Sequence, residues 1–140
     1  MKDTGIILLA AGGSRRMGRP KQLLLFEGKT LLEKIIETSE SVFEKENIVL
    51  VLGSEYEKIE SSINNKNISI CINTDWESGM ASSISLGLKT LLAKFPEMEK
   101  CLISVCDQPY LESDVFLQMI KISENSIKDI VAAEYAETLG

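Results

Sequence analysis

A short stretch near the amino terminus combines glycines with positive charge. Gly12 and Gly13 directly follow an apolar run, and four basic residues come soon after them: Arg15, Arg16, Arg19 and Lys21. Glycine lets the backbone turn sharply and bring its N–H groups close to an anion, and basic side chains add charge-assisted hydrogen bonds. We therefore predict a phosphate-binding loop here, in preference to a solvated turn that is basic by chance. The stretch is neither a P-loop nor a GxGxxG dinucleotide fingerprint.

A single carboxylate, Asp107, ends a second apolar run and is followed by Gln108 and Pro109. Mg²⁺ often takes only one or two protein carboxylates and completes its shell with phosphate oxygens and water. The alternative is an aspartate that begins a turn. The residue alone does not decide between the two, but its pairing with the basic loop favours metal binding.

A third stretch, residues 73–88, places Gly79 before a serine-rich helix start containing Ser82, Ser83 and Ser85. Small residues leave room for a flat ligand, and hydroxyls with unpaired helix N–H groups can recognise a polar edge. Simple helix capping is the alternative explanation for the serines, and it is favoured when this stretch is considered alone.

Composition excludes several classes of protein. The 140 residues contain no histidine, so Ser-His-Asp and Cys-His catalysis and HExxH metal sites are excluded. The net charge of −6 makes a general binder of nucleic acid or anionic membranes improbable on electrostatic grounds. No apolar run reaches the roughly 20 residues that span a bilayer. With no signal peptide in view and three cysteines that read as buried thiols, we expect a cytoplasmic protein.

The chain alternates between strand-like and helix-like segments. Apolar or alternating runs predict strands at 5–11, 47–52, 67–73, 100–106 and 129–134. Helical spacing and capping patterns predict helices at 30–41, 54–62, 80–95 and 113–122. This order predicts an α/β fold, a three-layer Rossmann-like arrangement with a mostly parallel sheet. Ligands bind at the carboxyl ends of such strands, so the basic loop and Asp107 should share one rim.

Residues 9–18, LAAGGSRRMG, together with Lys21, resemble the LAAGxSxRMGxxK signature of nucleotidyltransferases with a GT-A-like fold. Residues 73–88 and 106–109 resemble one branch, the molybdenum cofactor cytidylyltransferases within the MobA-like NTP transferases. The resemblance runs from Ile6 to Gly140. It implies a single domain over residues 1–140 that lacks about 50 carboxyl-terminal residues of the family domain.

The resemblance implies transfer of a cytidylyl group from CTP to the terminal phosphate of molybdopterin, with Mg²⁺ as cofactor and pyrophosphate as product. It assigns catalytic roles to Arg15, Lys21 and Asp107, and the metal to Asp107. The implied nucleotide-binding residues are Leu9, Ala10, Ala11, Gly12, Gly13, Ser14, Arg15, Lys21, Gly79 and Ser83. A molybdoenzyme or its maturation factor is the implied protein partner. Two alternatives stay open: another phosphorylated acceptor, such as a sugar or alditol phosphate, and a non-catalytic nucleotide-binding or chaperone-like module.

Overall fold

The computed structural model describes residues 3–12, 23, 25–63, 67–108, 110–126, 134–135 and 138–139. The strands are β1 (Thr4–Ala10), β2 (Leu25–Phe26), β3 (Lys29–Thr30), β4 (Ile48–Leu52), β5 (Ser69–Ile72), β6 (Lys100–Val105), β7 (Glu134–Tyr135) and β8 (Thr138–Leu139). The helices are α1 (Leu31–Glu40), α2 (Tyr56–Ser62), α3 (Met80–Lys94) and α4 (Ser113–Glu124).

Four parallel strands form the central sheet in the order β5-β4-β1-β6. The two inner strands, β1 and β4, are buried along their whole length, as their unbroken apolar sequences predict. Two short antiparallel pairs, β2 with β3 and β7 with β8, lie outside this sheet. The predicted strand at 129–134 lies mostly outside the described residues.

Helices cover both faces of the sheet. Ile6, Leu8 and Ala10 of β1 belong to one apolar cluster, which also contains buried residues of α1, α2 and α4. Ile7 and Leu9 belong to a second cluster, to which α3 contributes Leu91. Because successive side chains of a strand point to opposite faces, one continuous apolar run supplies both cores. The predicted α/β architecture is confirmed.

Two sequence patterns, Thr30 with Glu33 and Ser54 with Glu57, predict capping boxes, and they have different outcomes. The Thr30 side chain accepts a hydrogen bond from the Glu33 backbone N–H at 3.0 Å and caps α1, as predicted. The predicted cap at Ser54 is wrong, since α2 begins after Glu55, which has a left-handed backbone with φ of 54°. Ser54 is instead held at the sheet edge, because its N–H donates to the Ala11 carbonyl at 3.1 Å.

Helix α3 packs against the sheet through Gly87 and Leu91 rather than through all of its helically spaced leucines. Leu88 and Leu92 are 39% and 38% exposed, whereas Gly87 and Leu91 are buried. A Cβ on Gly87 would lie 2.6 Å from Cγ2 of Ile7. The absence of a side chain at Gly87 therefore lets the helix approach the sheet closely.

We expect Gly87→Ala to destabilise the protein. The added methyl group would also lie 3.0 Å from Cγ2 of Val51, and Ile7 and Val51 are fully buried. Overpacking costs about 1–3 kcal/mol, which outweighs the gain of up to about 1 kcal/mol in helix propensity. Urea unfolding should show a lower midpoint, and Ser85→Ala on the exposed side of the same helix is the control. A midpoint equal to that of the parent would contradict this packing.

Strand β6 forms one edge of the sheet among the described residues, where it pairs with β1 alone. Ile103 of this strand is 45% exposed. Within the described part of the chain, no helix is both long and apolar enough to span a membrane.

Candidate functional site

Four chain segments leave the sheet side by side at its carboxyl edge. Ala10 pairs with Leu52, and Leu52 pairs with Ile72. Continuing these registers by one residue aligns Ala11 with Gly53 and Gly53 with Asn73. The β1–β6 register, continued from Leu9 and Val105 by two residues, adds Asp107 beside Ala11.

We call this set of residues, Asn73, Gly53, Ala11 and Asp107, the edge row. Neighbouring strands are about 4.8 Å apart, so the row runs about 14 Å from Asn73 to Asp107. Two backbone hydrogen bonds extend the pairing past the strand ends, from Asn73 N–H to the Leu52 carbonyl at 2.6 Å and from Ser54 N–H to the Ala11 carbonyl. These bonds join the row from Asn73 to Ala11, and Asp107 follows β6 at the same carboxyl edge, so an elongated ligand can lie along it.

The first predicted motif begins at the centre of this edge. Leu9, Ala10 and Ala11 are buried and anchor the strand, whereas Gly12 is exposed where the chain leaves the sheet. Among the described residues other than its chain neighbours, no atom lies within 4 Å of the position that a Cβ of Gly12 would occupy. The described residues therefore leave the space at this strand end open. The remaining predicted residues of the loop, Gly13, Ser14, Arg15 and Lys21, lie outside the described residues.

We expect Gly12→Ala to leave folding unchanged while weakening nucleotide binding. None of the described residues comes close enough to Gly12 to clash with an added methyl group. The same methyl group would obstruct the close approach of an anion to the backbone, which is the reason for glycine at such turns. Thermal unfolding and CTP titration of the two proteins test this. An unchanged dissociation constant would mean that the ligand does not approach Gly12.

Gly53 allows the segment that carries Trp76 to pack against the end of β1. A Cβ on Gly53 would lie 2.7 Å from Cβ of Trp76, 2.8 Å from the Ala11 carbonyl oxygen and 3.0 Å from Cβ of Ala11. Two of these neighbours are a backbone atom and a Cβ next to it, which cannot move aside cheaply. Glycine is thus required here by close approach, and Trp76 is seated beside Ala11 as a result.

The third predicted motif surrounds the amino terminus of α3. Gly79 precedes the helix with φ of 118°, a backbone conformation that glycine adopts without strain, and no atom lies within 4 Å of its Cβ position. Ser83 is only 4% exposed, and its hydroxyl accepts a hydrogen bond from the Asn73 side chain at 2.9 Å. Gly79 thus presents open backbone at the surface, whereas Ser83 lies beneath it.

Asp107 lies at the other end of the edge row. Its side chain is exposed and makes no hydrogen bond or ion pair with the residues described. An exposed carboxylate with open coordination positions suits Mg²⁺, which keeps several waters and takes phosphate oxygens as its other ligands. Among the described residues, no group of three or more cysteine, aspartate or glutamate side chains could hold a metal ion. Asp107 is therefore not part of a larger cluster of acidic or thiol side chains among the described residues.

The cysteine next to Asp107 takes no part in this chemistry. Burial raises the pKa of the Cys106 thiol far above its ordinary value, and the neighbouring Asp107 carboxylate raises it further. Burial likewise raises the pKa of Cys101 to about 11. Both thiols are therefore neutral at pH 7, and neither is a reactive thiolate.

Asn73, Gly53 and Trp76 are not among the site residues that the sequence predicts. Asn73 is 6% exposed, and its partners lie nine and ten residues further along the chain. A polar residue at the end of the alternating run 67–73 was the available signal. The importance of Gly53 depends on Trp76 and Ala11 meeting in space, which no local pattern reveals.

The chain is similar in sequence to several curated proteins. The chain is 38% identical to nicotine blue oxidoreductase of Paenarthrobacter nicotinovorans over 75% of this chain and 50% of that protein. It is 31% identical to molybdenum cofactor cytidylyltransferase of Escherichia coli over 83% of this chain and 57% of that enzyme. The chain thus spans about half the length of the curated relatives it matches.

The solved structures of Rv0371c from Mycobacterium tuberculosis show the same fold. The crystal structure of Rv0371c matches with a TM-score of 0.84 and 23% identity over 98% of this chain and 68% of that chain. Its complex with manganese matches with a TM-score of 0.77 and 20% identity over 97% and 66%. Residues 6–140 match the model of the MobA-like NTP transferase domain, and the chain belongs to this family.

Proposed function

We propose that this protein is a Mg²⁺-dependent nucleotidyltransferase that transfers a cytidylyl group from CTP to molybdopterin and releases pyrophosphate. The observation that carries the proposal is the edge row. Ala11, which is followed by the exposed Gly12, lies in this row between Asp107 on one side and Asn73 on the other. The similarity to a molybdenum cofactor cytidylyltransferase supports this choice of nucleotide and acceptor. The proposed location is the cytoplasm, since the three cysteines are free thiols.

The nucleotide would lie along the edge row with its base toward Gly79 and its phosphates toward Gly12. The buried residues Leu9, Ala10 and Ala11 would form the base of the binding site, and the exposed backbone at Gly12 would approach the phosphates. In this proposal Gly13, Ser14, Arg15 and Lys21 complete the phosphate loop. Ser83 would support the base side.

The reaction requires no covalent catalyst. The terminal phosphate of the acceptor is already an anion at neutral pH, and its oxygen attacks the α-phosphorus of CTP in line. A new phosphoanhydride bond forms as the bond between the α- and β-phosphates breaks, and pyrophosphate leaves. Arg15 and Lys21 would offset the charge that develops on these oxygens, so catalysis consists of positioning and electrostatic stabilisation.

Asp107 would hold the divalent cation. When bound, the cation neutralises charge on phosphate oxygens in the transition state. The exposed Asp107 carboxylate, with no competing partner in the described structure, is suited to bind it. The complex of Rv0371c with manganese supports a divalent cation in this fold.

We further propose that these 140 residues form the nucleotide-binding part of a longer domain. The curated relatives extend well beyond the matched region, which covers 50% and 57% of their own lengths. The remaining residues of such a domain would supply the acceptor site and a second acidic metal ligand. A molybdoenzyme or its maturation factor is the proposed recipient of the product.

The proposed function is tested by measuring pyrophosphate release from CTP, GTP and UTP with molybdopterin and with sugar or alditol phosphates. Release from CTP with molybdopterin alone supports the proposal, and release with another acceptor assigns the second candidate. The relative named as an oxidoreductase makes a redox reaction the competing outcome, to be detected by absorbance changes in the acceptor without pyrophosphate. Binding of CTP with no release under any condition would indicate a non-catalytic module.

We expect Arg15→Ala and Lys21→Ala to weaken binding of CTP more than binding of cytidine. Both residues belong to the glycine-rich basic stretch, and a charge-assisted contact with phosphate is roughly twice as strong as a neutral hydrogen bond. Isothermal titration with both ligands measures the difference, and Lys58→Ala on α2 is a control for loss of one positive charge. Equal losses for nucleotide and nucleoside would refute the phosphate role.

A further inference from the structure

Asn73 connects three parts of the candidate site through hydrogen bonds. Its backbone N–H donates to the Leu52 carbonyl at the end of β4. Its side-chain amide donates to the hydroxyls of Ser82 and Ser83 in the first turn of α3, at 2.9 Å each. Its side-chain carbonyl accepts from the Asp75 backbone N–H at 2.9 Å. Sheet, loop and helix therefore meet at this one residue.

The orientation of the Asn73 amide is determined by its partners. A backbone N–H can only donate, so the group that faces Asp75 must be the carbonyl oxygen, and the NH₂ group must face the two serines. Both amide hydrogens are then used, and the side chain has no hydrogen left for a ligand. A buried amide with all its partners inside the protein acts by holding structure rather than by touching substrate.

The segment that Asn73 holds is the one that faces the base in the proposed function. Residues 74–79 carry Trp76, which is seated against Gly53 and Ala11, and end at Gly79, where α3 begins. Loss of the Asn73 amide would release this segment and the first turn of α3 together. The contacts of Gly12 with phosphate would be unaffected, because Gly12 belongs to a different strand end.

We propose that Asn73 is a positioning residue for the nucleobase: by tying β4, the 74–79 segment and α3 together, it sets the shape of the base-side half of the site. This inference rests on the proposed function. It assigns Asn73 an effect on base binding and none on phosphate binding.

The test compares Asn73→Ala with the parent chain in binding CTP, cytidine and tripolyphosphate by calorimetry. We expect affinity for CTP and cytidine to fall about tenfold, the size expected when a buried hydrogen-bond network is lost, while tripolyphosphate affinity stays the same. Trp76 is the only tryptophan, so its emission reports on the 74–79 segment directly. We expect the emission to shift in Asn73→Ala without any ligand.

Asn47→Ala is the matched control. Asn47 is also a buried asparagine, 2% exposed, whose side-chain amide donates to the Thr4 carbonyl at 3.3 Å. It lies just before β4, at the opposite end of the strand from the edge row. Its replacement should lower the unfolding midpoint but change neither cytidine affinity nor Trp76 emission.

The outcomes separate this inference from the proposed function. A parent chain that binds none of the three ligands refutes the proposed function and the inference with it. A parent that binds them, with Asn73→Ala equal to it or weaker for tripolyphosphate as well, overturns the inference alone. If Asn73→Ala does not fold, Ser82→Ala at a partly exposed residue removes one Asn73 contact, together with the hydrogen bonds that Ser82 donates to the carbonyls of Asp75 and Gly79. It should weaken cytidine binding by about threefold. Unchanged binding and emission in Ser82→Ala would then overturn the inference.

Discussion

Asp107→Ala is expected to reduce the transferase rate of an intact, active form of the protein by about a thousandfold or more. Loss of a metal-holding carboxylate removes several kcal/mol of transition-state stabilisation, and each 1.36 kcal/mol is about a factor of ten. The fold should remain cooperative, since the exposed side chain has no hydrogen bond or ion pair with the described residues. Pyrophosphate release and thermal unfolding, measured on the same preparation, check both expectations.

Asp114→Ala is the control for this experiment. Asp114 is an exposed aspartate in the first turn of α4 and not a member of the edge row, and its replacement removes the same charge. Its rate should stay close to that of the parent. A near-normal rate for Asp107→Ala, or equal losses for the two variants, would show that Asp107 does not hold the metal.

A version of the chain extended by about 50 residues, to supply the carboxyl-terminal part of the family domain, is expected to be active, whereas the 140-residue chain should bind nucleotide weakly and transfer little. A transferase must position two substrates, and the loss of one binding site removes a proximity contribution of up to roughly 7–11 kcal/mol. The exposed edge of β6 at Ile103 offers a place where added residues can extend the sheet.

The measurement for this second prediction is pyrophosphate release from CTP and molybdopterin by both lengths at equal concentration. Binding of CTP by each length, measured separately, distinguishes loss of the acceptor site from loss of nucleotide binding. Full activity in the 140-residue chain would show that the acceptor site lies within these 140 residues.

The sheet and most helices could be predicted because their signals are local. The apolar runs at 5–11 and 47–52 can be satisfied only by burial on both faces, and they became the two inner strands. Thr30 and Glu33 marked the start of α1 because capping acts over three residues. The shared carboxyl rim also followed from topology, whereas the adjacency of β1 and β6 was not predicted. The roles of the predicted site residues remain predictions.

The features that could not be predicted depend on distant parts of the chain meeting. Spacing within α3 could not show that the small Gly87, rather than Leu88, would face the sheet, because the choice depends on Ile7 and Val51 beneath the helix. The start of α2 at Tyr56 rather than Ser54 depends on the carbonyl of Ala11, more than forty residues earlier. Long-range contacts override local preference in both cases.

The edge row has a consequence for how proteins of this family can diverge. Its two ends come from β5 and β6, strands that are separated by β4 and β1 and share no hydrogen bonds. Substitutions at two sites about 14 Å apart affect the protein nearly independently of each other. Under the proposed function, mutations near Asn73 would therefore alter the choice of base while Asp107 keeps its role in the reaction, so selection would explore new nucleotides without first losing catalysis.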